Sequence, residues 1–148
     1  MNFLKVLVEE IHSVVVATVD ETGQPQTAVM DMMLEDGQTV YFLTANFKPL
    51  FQRLKEDGRV SLTGMTPGTG TLGRKSISLN GQVQWIGQEK LADLLEANPY
   101  MYEIYPTEEG RSHLQVFCFQ KASGKYYDLS QLPPKQETFE IEVSDDRD

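Results

Sequence analysis

Val40-Tyr41-Phe42-Leu43-Thr44-Ala45-Asn46-Phe47-Lys48-Pro49-Leu50-Phe51 is the stretch on which the reading of this chain turns. Thr39 to Thr44 is β-branched and aromatic and predicts a strand. Pro49 then fixes φ for a first helical turn, and Leu50, Phe51 and Leu54 share one apolar face, so a short helix is predicted to end near Asp57-Gly58. A strand that runs into a helix N-terminus leaves backbone N–H groups free at the positive end of the helix dipole. Thr44 offers a hydroxyl to that place, Asn46 an amide and Lys48 an ammonium, which together suit an anion. The competing reading makes Asn46 a helix cap and Lys48 a solvated charge.

Upstream, Phe3, Leu4, Leu7, Val8 and Ile11 recur at helical spacing and predict an amphipathic helix over residues 1–11. Ser13 to Val19 and Gln26 to Leu34 read as strands joined by the turn Asp20-Glu21-Thr22-Gly23. Asp36-Gly37 supplies a second turn, so three antiparallel strands in a meander are expected. Downstream, Arg59 to Thr63 and Lys75 to Ile86 read as strands on either side of a glycine-rich loop, with Gly81 marking a bend or bulge. Glu89 to Ala97 reads as a helix broken by Asn98-Pro99, and Tyr100 to Tyr105 is an aromatic segment. Leu114 to Gln120 and Lys125 to Leu129 are expected to form a last hairpin across Ala122-Ser123-Gly124. Many short strands in neighbouring hairpins, with inserted helices, describe an antiparallel barrel. Four-residue connections leave no room for parallel crossovers.

At 148 residues the chain fits a single domain, assigned to residues 1–130. Six acids and one arginine crowd Glu137 to Asp148, so residues 131–148 are expected to be an acidic, mobile tail. A formal charge of −9 argues against a nucleic-acid binder. Residues 1–47 hold seven acids and only Lys5, whereas Lys48 to Lys75 holds six bases against two acids, which concentrates positive charge beside the anion loop. The apolar run Val14 to Ala17 is far too short to cross a bilayer, and Lys5, Glu9 and Glu10 interrupt the first segment, so a cytoplasmic protein is expected. One cysteine, Cys118, excludes an internal disulfide and a cysteine zinc site, and its apolar neighbours suggest core packing.

Three segments in register, residues 23–31, 40–48 and 54–62, make the chain resemble the FMN-binding split barrels of the pyridoxamine 5′-phosphate oxidase-like superfamily. The resemblance implies a mainly β fold with peripheral helices, a six- to seven-stranded antiparallel split barrel, dimeric, with FMN at the subunit interface. It places Thr27, Ala28, Val29 and Met30 along the flavin ring and ribityl chain, Thr44, Asn46 and Lys48 on the phosphate, and Ser76 facing the flavin. Where pyridoxamine phosphate oxidases have an arginine on the second strand, this chain has Thr27 and Ala28. Arg53, Lys55, Arg74 or Lys75 is then expected to supply the missing contact.

An FMN-dependent oxidoreductase using NAD(P)H and a small-molecule acceptor is the expected function, with no catalytic side chain required because the flavin carries the redox chemistry. A non-catalytic FMN store or redox sensor and a nitroimidazole-reductase-like enzyme are the alternatives. A haem-binding split barrel, with His113 as its loop ligand, ranks lower. His12 and His113 lack a second ligand at metal spacing, so no metal is expected. Gly68 to Ser76 approaches a P-loop, but Arg74 interrupts the Gly-Lys-Ser order and a strand follows, so a flexible loop near the active-site mouth is expected instead. Asp31 reads equally as a solvent-facing strand residue or a polar contact near the flavin. Met30, Met32, Met33, Tyr100, Tyr102 and Tyr105 read as pocket wall or as core.

Overall fold

The computed structural model describes residues 1–144. In place of one N-terminal α-helix, a single turn α1 (Phe3–Lys5) runs into a π-helical segment, Val6–Ile11. Widening the turn lets Val6, Leu7 and Ile11 reach the core together. Eight strands follow: β1 (Ser13–Val19), β2 (Pro25–Asp31), β3 (Leu34–Glu35), β4 (Val40–Ala45), β5 (Arg59–Met65), β6 (Lys75–Trp85), β7 (Leu114–Asp128) and β8 (Lys135–Glu142). They form one curled sheet in the order β2-β1-β5-β6-β7-β4-β3, with β8 also on β7. Every pairing is antiparallel. Helix α2 (Pro49–Glu56) follows β4, and α3 (Leu91–Ala97), α4 (Met101–Ile104) and α5 (Glu108–Arg111) lie between β6 and β7.

The expected three-strand meander is not formed. β2 pairs with β1, β4 pairs with β3 and β7, and no ladder joins β2 to β4 among the described residues. The cause is a corner at Met32-Met33. Both side chains are buried, which a straight strand with alternating faces cannot achieve for neighbours on a half-exposed edge. Met32 N–H donates to His12 O (2.7 Å) and Met33 N–H to Tyr41 O (2.9 Å), so one bent segment serves both ends of the sheet. The barrel is thereby split between β2 and β4.

Two further expectations are corrected at the C-terminal end. Ala122-Ser123-Gly124 is no turn, since β7 runs unbroken for 15 residues. Its small residues answer to close neighbours: a Cβ on Gly81 would collide with Lys121 O, and one on Gly124 with the Phe139 ring. The predicted irregularity near Gly81 is present as a register shift at Gln82/Val83. The tail expected at 131–148 contains β8, paired with β7 from Lys135 to Glu142. Phe139, Ile141 and Val143 alternate with acids, and Phe3 stacks on Phe139 with ring centroids 4.7 Å apart. The remainder of that tail, 145–148, lies outside the described residues.

β4 explains the opening stretch. All six of its residues are buried, because Val40 and Phe42 pack into the main core while Tyr41, Leu43 and Ala45 pack into a second cluster with Leu94, Leu95 and Met101. A strand covered on both faces reads as a continuous apolar run.

Candidate functional site

The split between β2 and β4 holds a cavity of about 430 Å³, within the range typical of small-molecule sites. One wall is β2 with Ala28, Val29, Met30 and Asp31; the other is the end of β4 with Leu43, Thr44 and Ala45, running into Lys48. β2 has a ladder on one side only, so alternate N–H and C=O groups of its other edge face the split.

The lining combines polar Thr44, Lys48, Arg53 and Asp31 with apolar Met33, Met101 and Ile104 and the ring of Tyr105. Lys48 occupies the N-cap position of α2 with extended backbone, and no side chain caps the helix. Asn46 is therefore not a cap. Its backbone N–H donates to His113 O (2.8 Å), and its side chain is outside the cavity lining. Arg53 is one turn into α2; its Nε donates to Thr18 Oγ1 (2.7 Å), while its Nη groups make no hydrogen bond among the described residues. Neither Lys48 nor Arg53 has an acidic partner there. A hydroxyl, an ammonium, a guanidinium and an uncapped helix start form a donor set matched to a phosphate.

The other basic candidates are engaged elsewhere. Lys55 lies over the rings of Trp85 (5.3 Å) and Phe51 (6.0 Å), Arg74 donates to Thr66 O and Gly70 O within its own loop, and Lys75 pairs with Glu10 (3.4 Å). None of them, nor any residue of the loop 66–74, lines this cavity. The loop expected at the active-site mouth is thus away from the cavity within one chain.

Of the residues expected at the cofactor, Ala28, Val29, Met30, Thr44 and Lys48 line this one cavity. Thr27 and Ser76 do not. Thr27 is opposite Ala17 on β1 and points to the outer face of the sheet. Ser76 lines a different cavity, with Tyr127 and Gln136 among its neighbours. His113 meets Phe47 edge-on at 5.7 Å and does not line the split. Met30 and Met33 are wall, whereas Met32 is core.

One group escaped the sequence reading. Asp31, His12 and Tyr100 converge at the edge of the cavity, with Tyr100 Oη donating to Asp31 Oδ2 (2.6 Å) and lying 2.8 Å from His12 Nε2. Burial, and then the Asp31 hydrogen bond, push the Tyr100 hydroxyl well above the ordinary phenol range. Separations of 69 and 88 residues carry no local pattern that could have announced it.

The outer face of β2, β1, β5 and β6 is the remaining feature. Val29, Val15, Thr63 and Ser78 are opposite one another in register, followed by Thr27, Ala17, Ser61 and Asn80. Val29 is 74% exposed and Val15 44%. These two rows contain no charged residue, unlike the continuation onto β7 and β8, where Lys125 and Glu140 appear.

An antiparallel split barrel with a phosphate-type donor set beside an apolar slot is the class of protein that fold and cavity define. Residues 3–128 match the family model described as pyridoxamine 5′-phosphate oxidase. The chain belongs to that family. Solved structures with the same fold include a NimC/NimA family protein from Clostridium acetobutylicum (24% identity, TM-score 0.72, 94% of this chain and 87% of that one). Another, from the same organism, is a protein related to general stress protein 26 of B. subtilis, of the pyridoxinephosphate oxidase family (23%, TM-score 0.66, 94% of each chain). A third is a pyridoxamine 5′-phosphate oxidase-related, FMN-binding protein from Nostoc punctiforme (14%, TM-score 0.60, 90% and 87%). No curated protein sequence matches the chain. No helix among the described residues is long and apolar enough to cross a membrane.

Proposed function

We propose that this chain binds FMN in the split between β2 and β4 and works as an oxidoreductase that takes electrons from NAD(P)H and passes them to a small-molecule acceptor. The observation that carries the reading is that Thr44, Lys48 and Arg53 line one cavity together with a mostly apolar set of side chains and an unpaired strand edge. Bound flavin supplies hydride acceptance and donation, which no side chain can provide. Lys48 and Arg53 neutralise the phosphate dianion, and Thr44 donates a hydrogen bond to it. Free backbone groups of β2 meet the polar edge of the ring, while Ala28, Met30 and Leu43 exclude water from its faces. Arg53 takes the part of the arginine that the second strand lacks, since Lys55, Arg74 and Lys75 are engaged away from the cavity.

A second copy of the chain belongs to the proposal. The uncharged outer face around Val15 and Val29 is the surface that a partner would cover, and Thr27 and Ser76 lie on that same face. A homodimer formed there gives both residues a role near the cofactor that one chain alone does not provide.

Titration of the protein with FMN, followed by quenching of flavin fluorescence, tests the reading. Charge-assisted hydrogen bonds contribute roughly 1.5–3 kcal/mol each, so Lys48→Met and Arg53→Met should each raise Kd about 10- to 150-fold. Riboflavin, which lacks the phosphate, should bind the wild type far more weakly than FMN and be insensitive to both substitutions. Equal affinities for FMN and riboflavin would refute the phosphate grip.

A further inference from the structure

His12 has a backbone that a histidine rarely adopts, with φ 66° and ψ −65°. Such strain persists where surrounding bonds over-determine it. Three bonds do so here: His12 N–H donates to Leu7 O at the end of the π-helical segment, Met32 N–H donates to His12 O, and the ring Nδ1 lies 3.1 Å from Val8 O. Together they aim Nε2 at Tyr100. Widened helical turns of this kind recur at functional sites.

Proton counting shows what the arrangement permits. Val8 O can only accept, so Nδ1 carries a hydrogen. Tyr100 Oη has one hydrogen to share between Asp31 Oδ2 at 2.6 Å and His12 Nε2 at 2.8 Å. In one placement Nε2–H donates to Oη and Oη–H donates to an ionised Asp31. In the other, both hydrogens have moved one bond along: Oη–H donates to Nε2, and a protonated Asp31 donates to Oη. The same heavy-atom positions serve both placements, and Ser13 Oγ holds Asp31 Oδ1 at 2.7 Å throughout. The net change is transfer of one proton from His12 to Asp31.

The two ends of this chain of bonds open into different spaces. Asp31 lines the cavity between β2 and β4. His12 lines an outer cleft of about 690 Å³ with Lys5, Glu9, Glu35 and Asn98. Side-chain exposures of 30% for His12 and 25% for Asp31 leave both ends reachable. Tyr100, half-buried, bonds to both, and His12 Nε2 also lies 3.4 Å from Asp31 Oδ2, so the hydroxyl offers the shorter of two routes between them.

We propose that His12, Tyr100 and Asp31 are a proton conduit from the outer cleft to the cavity, and that Asp31 protonates the acceptor there. The inference rests on the FMN reading above. The acceptor it fits is an uncharged molecule with an electron-poor double bond, such as a quinone or a conjugated carbonyl. That molecule gains a hydride from the reduced cofactor at one atom and a proton from Asp31 at the electronegative atom that receives the displaced electron pair. Asp31 regains its proton through Tyr100 from His12, and His12 from water. Nicotinamide dihydropyridine is the reductant, and its own half-reaction passes a hydride without drawing a proton from the conduit.

Tyr100→Phe removes the hydroxyl that shares its hydrogen between His12 and Asp31 and keeps the ring, leaving only the longer 3.4 Å approach of Nε2 to Oδ2. FMN Kd should stay within about twofold and anaerobic bleaching by NAD(P)H should keep its rate, while quinone reoxidation slows roughly 100-fold or more, the usual scale of general acid catalysis. Equal slowing of both half-reactions, or of neither, would overturn the conduit. A readout independent of the cofactor is the NMR titration of the His12 ring in flavin-free protein. Lys5, Glu9 and Glu35 share the cleft with the ring, and the midpoint should move in both Tyr100→Phe and Asp31→Asn. An unmoved midpoint in Asp31→Asn refutes the coupling. Failure of the wild type to bind FMN, with the His12 midpoint still moving, would refute the cofactor reading and the acceptor step but leave the coupled triad.

Discussion

Replacing Ile141 by alanine separates a packed C-terminal strand from an acidic appendage. Ile141 is 2% exposed, stands opposite Ala122 in the β7·β8 ladder and belongs to the main core. Truncating such a side chain costs about 2–5 kcal/mol, from lost transfer energy and the cavity left behind. The site is near the sheet edge and can partly relax, so about 3 kcal/mol is the working value. For a domain of this size each kcal/mol moves Tm by roughly 2–4 °C, which gives a fall of about 6–12 °C. Calorimetry of wild type, Ile141→Ala and the exposed control Glu142→Gln measures it, and urea midpoints with unchanged slope check that stability and not compactness has moved. The control should stay within about 0.5 kcal/mol of wild type. A Tm for Ile141→Ala indistinguishable from that of Glu142→Gln would show that β8 does not contribute to the core.

Other outcomes follow from the same contacts. Gly81→Ala drives a methyl into Lys121 O and Ala122 on β7, and overpacking of this kind should cost about 1–3 kcal/mol in a denaturant melt; no loss would mean that the β6·β7 register is wrong. Val15→Glu with Val29→Glu places charge on the uncharged sheet face, and light scattering should show a dimer become a monomer; a wild-type monomer would remove the shared-interface reading. Hydrogen bonding from the Ser130 hydroxyl holds the Asp128 carboxyl below its ordinary range. A depressed folded-state value means stabilisation that is present above the unfolded value near about 4 and lost as pH falls through the folded one. Asp128→Asn should therefore flatten the acid limb of the stability curve, and an unchanged limb would rule this group out as its cause.

Much of this fold could be read locally, because its signals are local. Asp20 to Gly23 and Asp36-Gly37 announced turns, and Pro49 with Leu50, Phe51 and Leu54 announced α2, since one residue's φ and one face's spacing decide each. Sheet order could not be read in the same way. Whether β4 pairs with β2 or with β7 depends on a corner at Met32-Met33 that only long-range burial enforces. Two errors came from weighing composition above alternation. Acids at Glu140 and Glu142 hid the period of Phe139, Ile141 and Val143, and small residues in β7 looked like a turn when they make room for Phe139 and for Gly81. At the cavity, Thr44 and Lys48 were legible because strand and helix start are adjacent in sequence. Arg53 was one of four basic candidates until the contacts of the other three placed them elsewhere. Tyr100 was legible as pocket wall or core, but its bonds to Asp31 and His12, 69 and 88 residues away, had no local pattern.

The bend at Met32-Met33 also governs how the split can move. Its two amides are anchored to different elements, one to the end of the π-helical segment and the other to β4, and both side chains are embedded. Spreading β2 from β4 would have to break an anchor or expose a methionine, so the slot behaves as a preset aperture and not as a jaw. A ligand that fits it then loses little free energy to reshaping the protein. Slow amide exchange at Met32 and Met33 before any ligand is added is the signature of that stiffness; exchange as fast as in the surface loops would contradict it.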